Sequence, residues 1–362
     1  MTIPLFGTGA QLDEIRPQLE RRILGVLDSG RFVGGPEVEA FEREFAEYLG
    51  VSEVVGVGNG TDAITIALMC LGVGPGDDVV VPSFTFYASA EAIPHTGARP
   101  VFCDVDPETF CVTPETVERA LTPQTRAVVA VDLFGRPAPV TELRESLADR
   151  GIPVLEDAAQ AAGAELDGVR AGAMGDVATF SFFPSKNLPG AGDGGAIVTS
   201  RPEIAERARL LRHHGSRDKQ TFTTVGFNSR LDALQATVLR LTLERLDEWN
   251  ERRRALAAAY AEAGLGAHAR LPGDPPGGRH VHHLYVIAAP DADELARRLE
   301  KAGIDTRAYY RTPVHRQPAM EPWGAGIDLP GTEQAARENL ALPMGPAYGS
   351  DVAAAVLEAL HA

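Results

Sequence analysis

Residues 54 to 63 read Val54-Val55-Gly56-Val57-Gly58-Asn59-Gly60-Thr61-Asp62-Ala63. A β-branched run stops at a glycine-rich turn, and a helical pattern takes over near Asp62. Similar runs recur downstream as Val79-Val80-Val81, Pro100-Val101-Phe102, Ala127-Val128-Val129-Ala130-Val131 and Pro153-Val154-Leu155, each bounded by Gly, Pro or Asp. Continuous apolar strands of this kind suit a sheet covered on both faces. Helical patterns lie between them, at Ala63 to Leu71 and Pro114 to Leu121, and strands alternating with helices predict a mainly parallel α/β sheet.

Toward the N-terminus, apolar residues recur at helical spacing from Leu12 to Asp28, where Ser29-Gly30 ends the run. A second helix is predicted from Pro36 to Tyr48, with proline in its first turn and Gly50 just past its end. Toward the C-terminus a long helix is predicted from Arg230 or Leu231, past Trp249, to about Ala263, where Gly264 is a stop signal. It reads as a bridge between a large domain, 1–245, and a small one, 246–362. Beyond the Pro/Gly-rich stretch 271–278 the pattern runs strand (Leu284 to Ala288), helix (Ala292 to Ala302), strand (Thr306 to Tyr309) and closing helix (Val352 to Leu360), which predicts a small α+β domain.

A chain of 362 residues accommodates two such domains. Apolar residues make up 44% and charged residues 23%, which excludes a disordered or fibrous chain. No apolar run approaches the ~18 residues of a membrane span, and Met1-Thr2-Ile3-Pro4-Leu5 lacks the basic-then-apolar order of a secretory signal, so the chain reads as soluble and cytoplasmic. A net charge of −16 repels polyanions and argues against nucleic acid or an anionic membrane as partner. An anionic ligand then needs a local exception. Cys70, Cys103 and Cys111 are odd in number and lack C-x-x-C spacing, predicting buried reduced thiols and neither a disulfide framework nor a metal site.

The turn from Gly58 to Ala63 aims unpaired backbone N–H groups and the positive end of a helix at one point, an arrangement that suits a phosphate. A literal G-x-G-x-x-G at Gly190 to Gly195 leads into the strand Ala196 to Thr199, so its order is loop then strand. That is opposite to the dinucleotide fingerprint, and no nicotinamide site is predicted. Asp157 and Gln160 fall just past the end of the strand at Val154, where open α/β sheets place ligands. Lys186 closes Ser181-Phe182-Phe183-Pro184-Ser185-Lys186, an aromatic, Pro/Gly-rich setting in which partial desolvation would depress its pKa and expose an imine-forming amine. A phosphate cradle, a carboxylate and such an amine together are what pyridoxal phosphate requires, the carboxylate serving the ring nitrogen so that the ring works as an electron sink.

Six segments follow one another along the chain: Gly58-Asn59-Gly60-Thr61-Asp62-Ala63, Pro82-Ser83-Phe84-Thr85-Phe86, Glu156-Asp157-Ala158-Ala159-Gln160-Ala161, Ser181 to Leu188, Gly192-Asp193-Gly194-Gly195 and Gly226-Phe227-Asn228-Ser229-Arg230. In order and spacing they resemble the DegT/DnrJ/EryC1/StrS family of sugar aminotransferases, along essentially the whole chain. The resemblance implies the aspartate aminotransferase fold, fold type I of pyridoxal phosphate enzymes, with a mainly parallel central sheet and a smaller α+β C-terminal domain. It implies that Lys186 holds the cofactor covalently and, once freed, shuttles the proton. Asp157 would keep the pyridine nitrogen protonated, and Gln160 would hydrogen-bond the ring hydroxyl. Phe86 would stack on the pyridine face, while Gly60, Thr61 and Ser181 would bind the phosphate. Asn228 would reach that phosphate from the neighbouring subunit, which implies a homodimer with shared active sites.

The segment Arg207 to Lys219 counts five Arg or Lys against one Asp and is the local exception that an anionic substrate demands. Within it His214 matches the histidine of a family Asn/His-His-Gly pattern and is favoured over His213 for the substrate region. Tyr309 to Arg316 resembles the family's His-Tyr-Pro-Val-Pro-Leu-His stretch but departs from it at Tyr309, Arg311 and Thr312. Tyr310 and His315 remain as sugar or nucleotide contacts, with Arg311 adding charge toward a diphosphate. The implied activity moves an amino group from an amino acid, L-glutamate, to a keto carbon, C3 or C4, of a dTDP-activated keto-deoxysugar. Rival readings are a family enzyme acting on a cyclic ketone, such as a keto-inositol or an aminohydroxybenzoate precursor, and a non-catalytic sensor that binds cofactor or sugar. A sugar 3-dehydratase is disfavoured, because that branch has histidine where this chain has Lys186.

Overall fold

The computed structural model describes residues 2–361. Seven strands form the central sheet: β1 (Glu53–Val57), β2 (Asp78–Pro82), β3 (Arg99–Cys103), β4 (Thr125–Val131), β5 (Val154–Asp157), β6 (Val177–Ser181) and β7 (Gly195–Thr199). Their spatial order is β1-β7-β6-β5-β4-β2-β3. β7 pairs antiparallel with both neighbours, β1 and β6, and every other pairing is parallel. The mainly parallel sheet predicted from the valine runs is therefore present, and Val79, Val80, Val81, Val128 and Val129 are wholly enclosed, as strands covered on both faces require.

Helix Pro36–Leu49 lies on one face and drives Phe41 and Phe45 edge-on into Phe182 and Phe180, with ring centroids 5.3 and 5.0 Å apart. This packing anchors the chain on either side of Ser181. The helix after β1 spans Gly60–Cys70 and starts two residues before the sequence pattern suggests. Asn59 is its N-cap, the side-chain oxygen accepting from the Asp62 N–H at 2.8 Å, so the glycine turn becomes the helix's first turn.

Two expectations fail in the C-terminal half. The long bridging helix is two helices, Ala233–Leu243 and Leu246–Glu262. Asp232 caps the first through the Gln235 N–H, so it begins beyond Arg230 and Leu231. The break follows Thr242, whose hydroxyl bonds the Leu239 and Pro189 carbonyls, and it lets the halves face different cores. Ala236 and Leu239 enter the large core, whereas Leu256 and Tyr260 enter a second one. The strand expected at Thr306 to Tyr309 is only an isolated bridge between Arg307 and Ala341. The ladder belongs instead to β8 (Tyr285–Ala288) and β9 (Asn339–Leu342), an antiparallel pair covered by helices Ala292–Lys301 and Ser350–His361. Tyr260 stacks on Tyr285 at 4.7 Å at the centre of this smaller core. Val314, Met320, Leu329, Ala335 and Ala336 return to the large core.

Candidate functional site

Gly60, Thr61, Asp157, Gln160, Ser181 and Lys186 gather at the carboxyl ends of β1, β5 and β6. Gly195 opens β7 opposite Ser181, the last residue of β6. A Cβ on Gly195 would lie 2.5 Å from the Asn59 carbonyl atoms, and one on Gly60 would lie 2.9 Å from Ser181 Cβ. The cradle is thus closed by bare backbone, and glycine is needed for the approach. The first-turn N–H groups of Gly60 and Thr61 have no intrahelical acceptor, and they point out of the helix end beside the Ser181 hydroxyl.

Asp157 ends β5 and is buried. Ser89 Oγ donates to its Oδ2 at 2.7 Å, Thr85 Oγ1 lies 3.0 Å from Ser89 Oγ, and the Ala159 N–H donates to Oδ1 at 3.2 Å. Burial raises the carboxyl's pKa; these donors and the charge of Lys186 oppose the rise by stabilising the anion. Ser89 was not singled out in the sequence, since a hydroxyl in a short alanine-rich helix carries no periodic signal, and Thr85 entered it only as part of the segment Pro82 to Phe86. Behind Asp157 lie two more enclosed carboxyls, Asp132 and Glu156. Glu156 accepts from the N–H groups of Gly172, Met174 and Gly175, which oppose the rise that burial gives its pKa, whereas burial and the Glu156 charge hold Asp132 well above its usual range. Of the three, Asp157 is the carboxyl that feels the charge of Lys186.

Lys186 follows the β6 strand on a turn closed by its own N–H donating to the Phe183 carbonyl at 2.8 Å. Asn187 pins the turn from below, donating to Asn250 Oδ1 at 2.7 Å and to the Val281 carbonyl at 3.1 Å. The Lys186 side chain is partly accessible, but its amine is desolvated, and burial pulls its pKa down to about 8 against the opposing pull of Asp157. His283 is the further group that the sequence reading missed. It is buried, and burial together with the charges of Lys186 and Arg253 keeps its imidazole neutral.

Gln160 is enclosed, its Oε1 accepting from the Phe134 N–H at 2.8 Å and its Nε2 lying 3.5 Å from the Tyr310 hydroxyl. Tyr310 therefore joins the cluster, and the Phe86 ring sits 6.1 Å from it with half its surface exposed. Other expected residues stand elsewhere. His315 Nδ1 is 2.6 Å from Ser83 Oγ and its ring packs near Phe102, while its buried Nε2, 3.5 Å from Glu333, has no hydrogen-bond partner. Arg311 is tied to Asp293 and to the carbonyls of Ala336 and Arg337, which removes it as a charge free for a diphosphate. His214 is exposed on a loop at φ 61°, its N–H donating to the Phe227 carbonyl. Asn228 is exposed beside it and accepts from Arg230, while the next residue, Ser229, accepts from the Gly58 N–H at 3.0 Å.

These groups fit pyridoxal phosphate. Backbone N–H groups converge where a Cβ cannot, a buried carboxylate and a desolvated amine share one edge of the sheet, and the amide of Gln160 has only its donor side left to offer. Among the described residues no cluster of three or more His, Cys, Asp or Glu could hold a metal ion, and no helix is long and apolar enough to cross a membrane. Cys70, Cys103 and Cys111 are free thiols.

A mainly parallel α/β sheet carrying such a site is the framework of the fold type I aminotransferases. The sequence profile of the DegT/DnrJ/EryC1/StrS aminotransferase family matches residues 13–361. A dTDP-3-amino-3,4,6-trideoxy-alpha-D-glucose transaminase of Streptomyces venezuelae is 47% identical, over 99% of this chain and 95% of its own. The crystal structure of S. venezuelae DesV in complex with a ketimine intermediate superposes with a TM-score of 0.96 at 45% identity, covering 99% of this chain and 97% of that one. NtdA of Bacillus subtilis, solved with bound cofactor PMP, superposes with a TM-score of 0.89 at 32% identity, over 96% of this chain and 81% of that one. The chain belongs to the DegT/DnrJ/EryC1/StrS family and is a pyridoxal-phosphate-dependent aminotransferase.

Proposed function

We propose that the enzyme moves the amino group of L-glutamate to C3 of a dTDP-activated 3-keto-deoxysugar in amino-sugar biosynthesis. The desolvated Lys186 amine within charge reach of the buried Asp157 carries the reading, because it places a nucleophilic base and an anion together where a phosphate can also be held. The choice of C3 and dTDP is supported by the 3-amino dTDP-sugar in the name of the S. venezuelae relative. Bound at this site, pyridoxal phosphate supplies a carbonyl that accepts the amino group and a ring that draws electrons from the reacting carbon. Gly60, Thr61 and Ser181 would hold its phosphate, Asp157 would keep the ring nitrogen protonated, Gln160 would donate to the ring oxygen and Phe86 would cover one face. Lys186 Nζ would hold the cofactor covalently and, as a desolvated amine, would carry the proton lost from the donor's α-carbon.

Further parts of the same reading are that two copies share sites, with Asn228 serving the partner's, that His214 lies in the substrate region, that the enzyme works in the cytoplasm, and that 1–245 forms the cofactor domain and 246–362 the small one. The test loads the protein with pyridoxamine phosphate and adds dTDP-linked 3-keto and 4-keto sugars in turn. The visible band of lysine-bound cofactor is expected to return with the 3-keto sugar; return only with a 4-keto sugar moves the chemistry to C4, and no return with either rejects the reading.

A further inference from the structure

Phe134 stands where a phenylalanine is costly. Its φ is 60° and its ψ 5°, in the left-handed region that side chains with a Cβ rarely adopt, and Gly135 follows at φ 99°. Its ring is buried against Phe84 and Phe110, at centroid distances of 6.1 and 5.7 Å. The turn is also fixed from behind. The Leu284 N–H donates to the Phe134 carbonyl at 3.3 Å and the Val281 N–H to the Gly135 carbonyl at 3.0 Å, while the Ala138 N–H donates to Asp132 Oδ1 at 2.8 Å.

What this conformation delivers is one N–H, aimed at Gln160 Oε1 from 2.8 Å. A backbone N–H can only donate, so the amide must turn its oxygen toward Phe134 and its NH2 the other way, toward Tyr310 and the site. An amide held the other way round would set its oxygen against whatever acceptor occupies the site.

We propose that Phe134 is a positioning residue for the transamination site: its left-handed backbone fixes the orientation of the Gln160 amide and so presents a donor to the cofactor's ring oxygen. The inference rests on the reading that Gln160 meets that oxygen. Phe134 touches neither substrate nor cofactor and acts only through Gln160.

The test uses two isomeric replacements. Phe134→Leu and Phe134→Ile leave side chains of equal volume and polarity in the aromatic cluster, but the β-branched isoleucine resists a positive φ far more strongly. A packing role predicts equal effects; a backbone role predicts that isoleucine is worse. The readouts are the dissociation constant of pyridoxal phosphate and the wavelength of its visible band in the loaded protein. Phe134→Leu is expected within about threefold of the wild-type affinity with the band in place, whereas Phe134→Ile weakens retention about tenfold or more and shifts the band, as loss of a hydrogen bond to a charged acceptor would. Phe134→Gly, which accepts the conformation without a ring, should keep the band position. Equal behaviour of the leucine and isoleucine variants overturns the inference. Gln160→Ala tests the reading beneath it: unchanged affinity and band there mean that Gln160 does not meet the ring oxygen, whereas a changed band there with an unchanged Phe134→Ile variant leaves the reading standing and removes the inference alone.

Discussion

An amine titrating near 8 changes what Lys186 can do at neutral pH. At pH 7.5 roughly a quarter of such amines are neutral nucleophiles, against roughly a thousandth for an exposed lysine. Burial lowers the pKa and the Asp157 charge raises it, so the two effects have opposite signs. The rate at which cofactor-free protein captures pyridoxal phosphate is expected to climb with pH and level off near 8, as followed by stopped-flow absorbance. In Asp157→Asn the burial effect is left unopposed, and the plateau should begin at lower pH; a plateau near 10.5 in either protein would contradict the desolvated amine. Lys186, Asp157 and Gln160 were legible in the sequence because few residue types perform their chemistry and each sits at a strand end or glycine loop. Ser89, Thr85 and His283 were not, because their placement depends on which strands become neighbours. His315 rested only on a resembling motif, and here its Nδ1 meets Ser83 within the fold.

At the scale of the elements, the phosphate cradle is a three-way approach of the start of β7, the end of β6 and the first turn of helix Gly60–Cys70. Gly195 is its tightest point, since an added Cβ would stand 2.5 Å from the Asn59 carbonyl atoms and 2.9 Å from the Gly60 nitrogen, all of them backbone. Gly195→Ala is therefore expected to cost about 1–3 kcal/mol of stability by overpacking and to weaken cofactor retention by about tenfold or more. Gly58→Ala, whose nearest neighbour is the movable Ser229 hydroxyl at 3.3 Å, should be much milder in both thermal melting and cofactor titration. Although β6, Val177–Ser181, was not among the expected strands, β1 to β5 were legible because a two-sided sheet demands unbroken β-branched runs. The break at Glu244 was not, because helical spacing continues through it and only the pull of two separate cores parts the halves. β9 was missed as well, four residues directly after a helix and readable as its continuation.

For the whole molecule, Phe222, Val225, Leu24, Phe32 and Val33 leave exposed apolar surface near Asn228 and the first helix, as the proposed pairing of two copies requires. If Asn228 serves the partner's phosphate, exchange between Lys186→Ala and Asn228→Ala subunits places both lesions in one site and none in the other. Cofactor affinity at the intact site is then expected to recover the ten- to hundredfold lost in the Asn228→Ala homodimer. No recovery, with exchange demonstrated by differently tagged subunits, confines Asn228 to its own chain. The reversed direction of β7 bears on how the molecule is built in time. Because β7 runs back along β6, the segment bearing Lys186 is a hairpin, closed where the Phe182 N–H meets the Gly194 carbonyl at 2.8 Å. Such local pairing closes a short loop at small entropic cost, whereas the grip on the phosphate must join residue 60 to residues 181 and 195 across most of the domain's length. The nucleophile's loop is thus cheap to close, and the anion grip costs more chain entropy because it joins segments far apart in sequence.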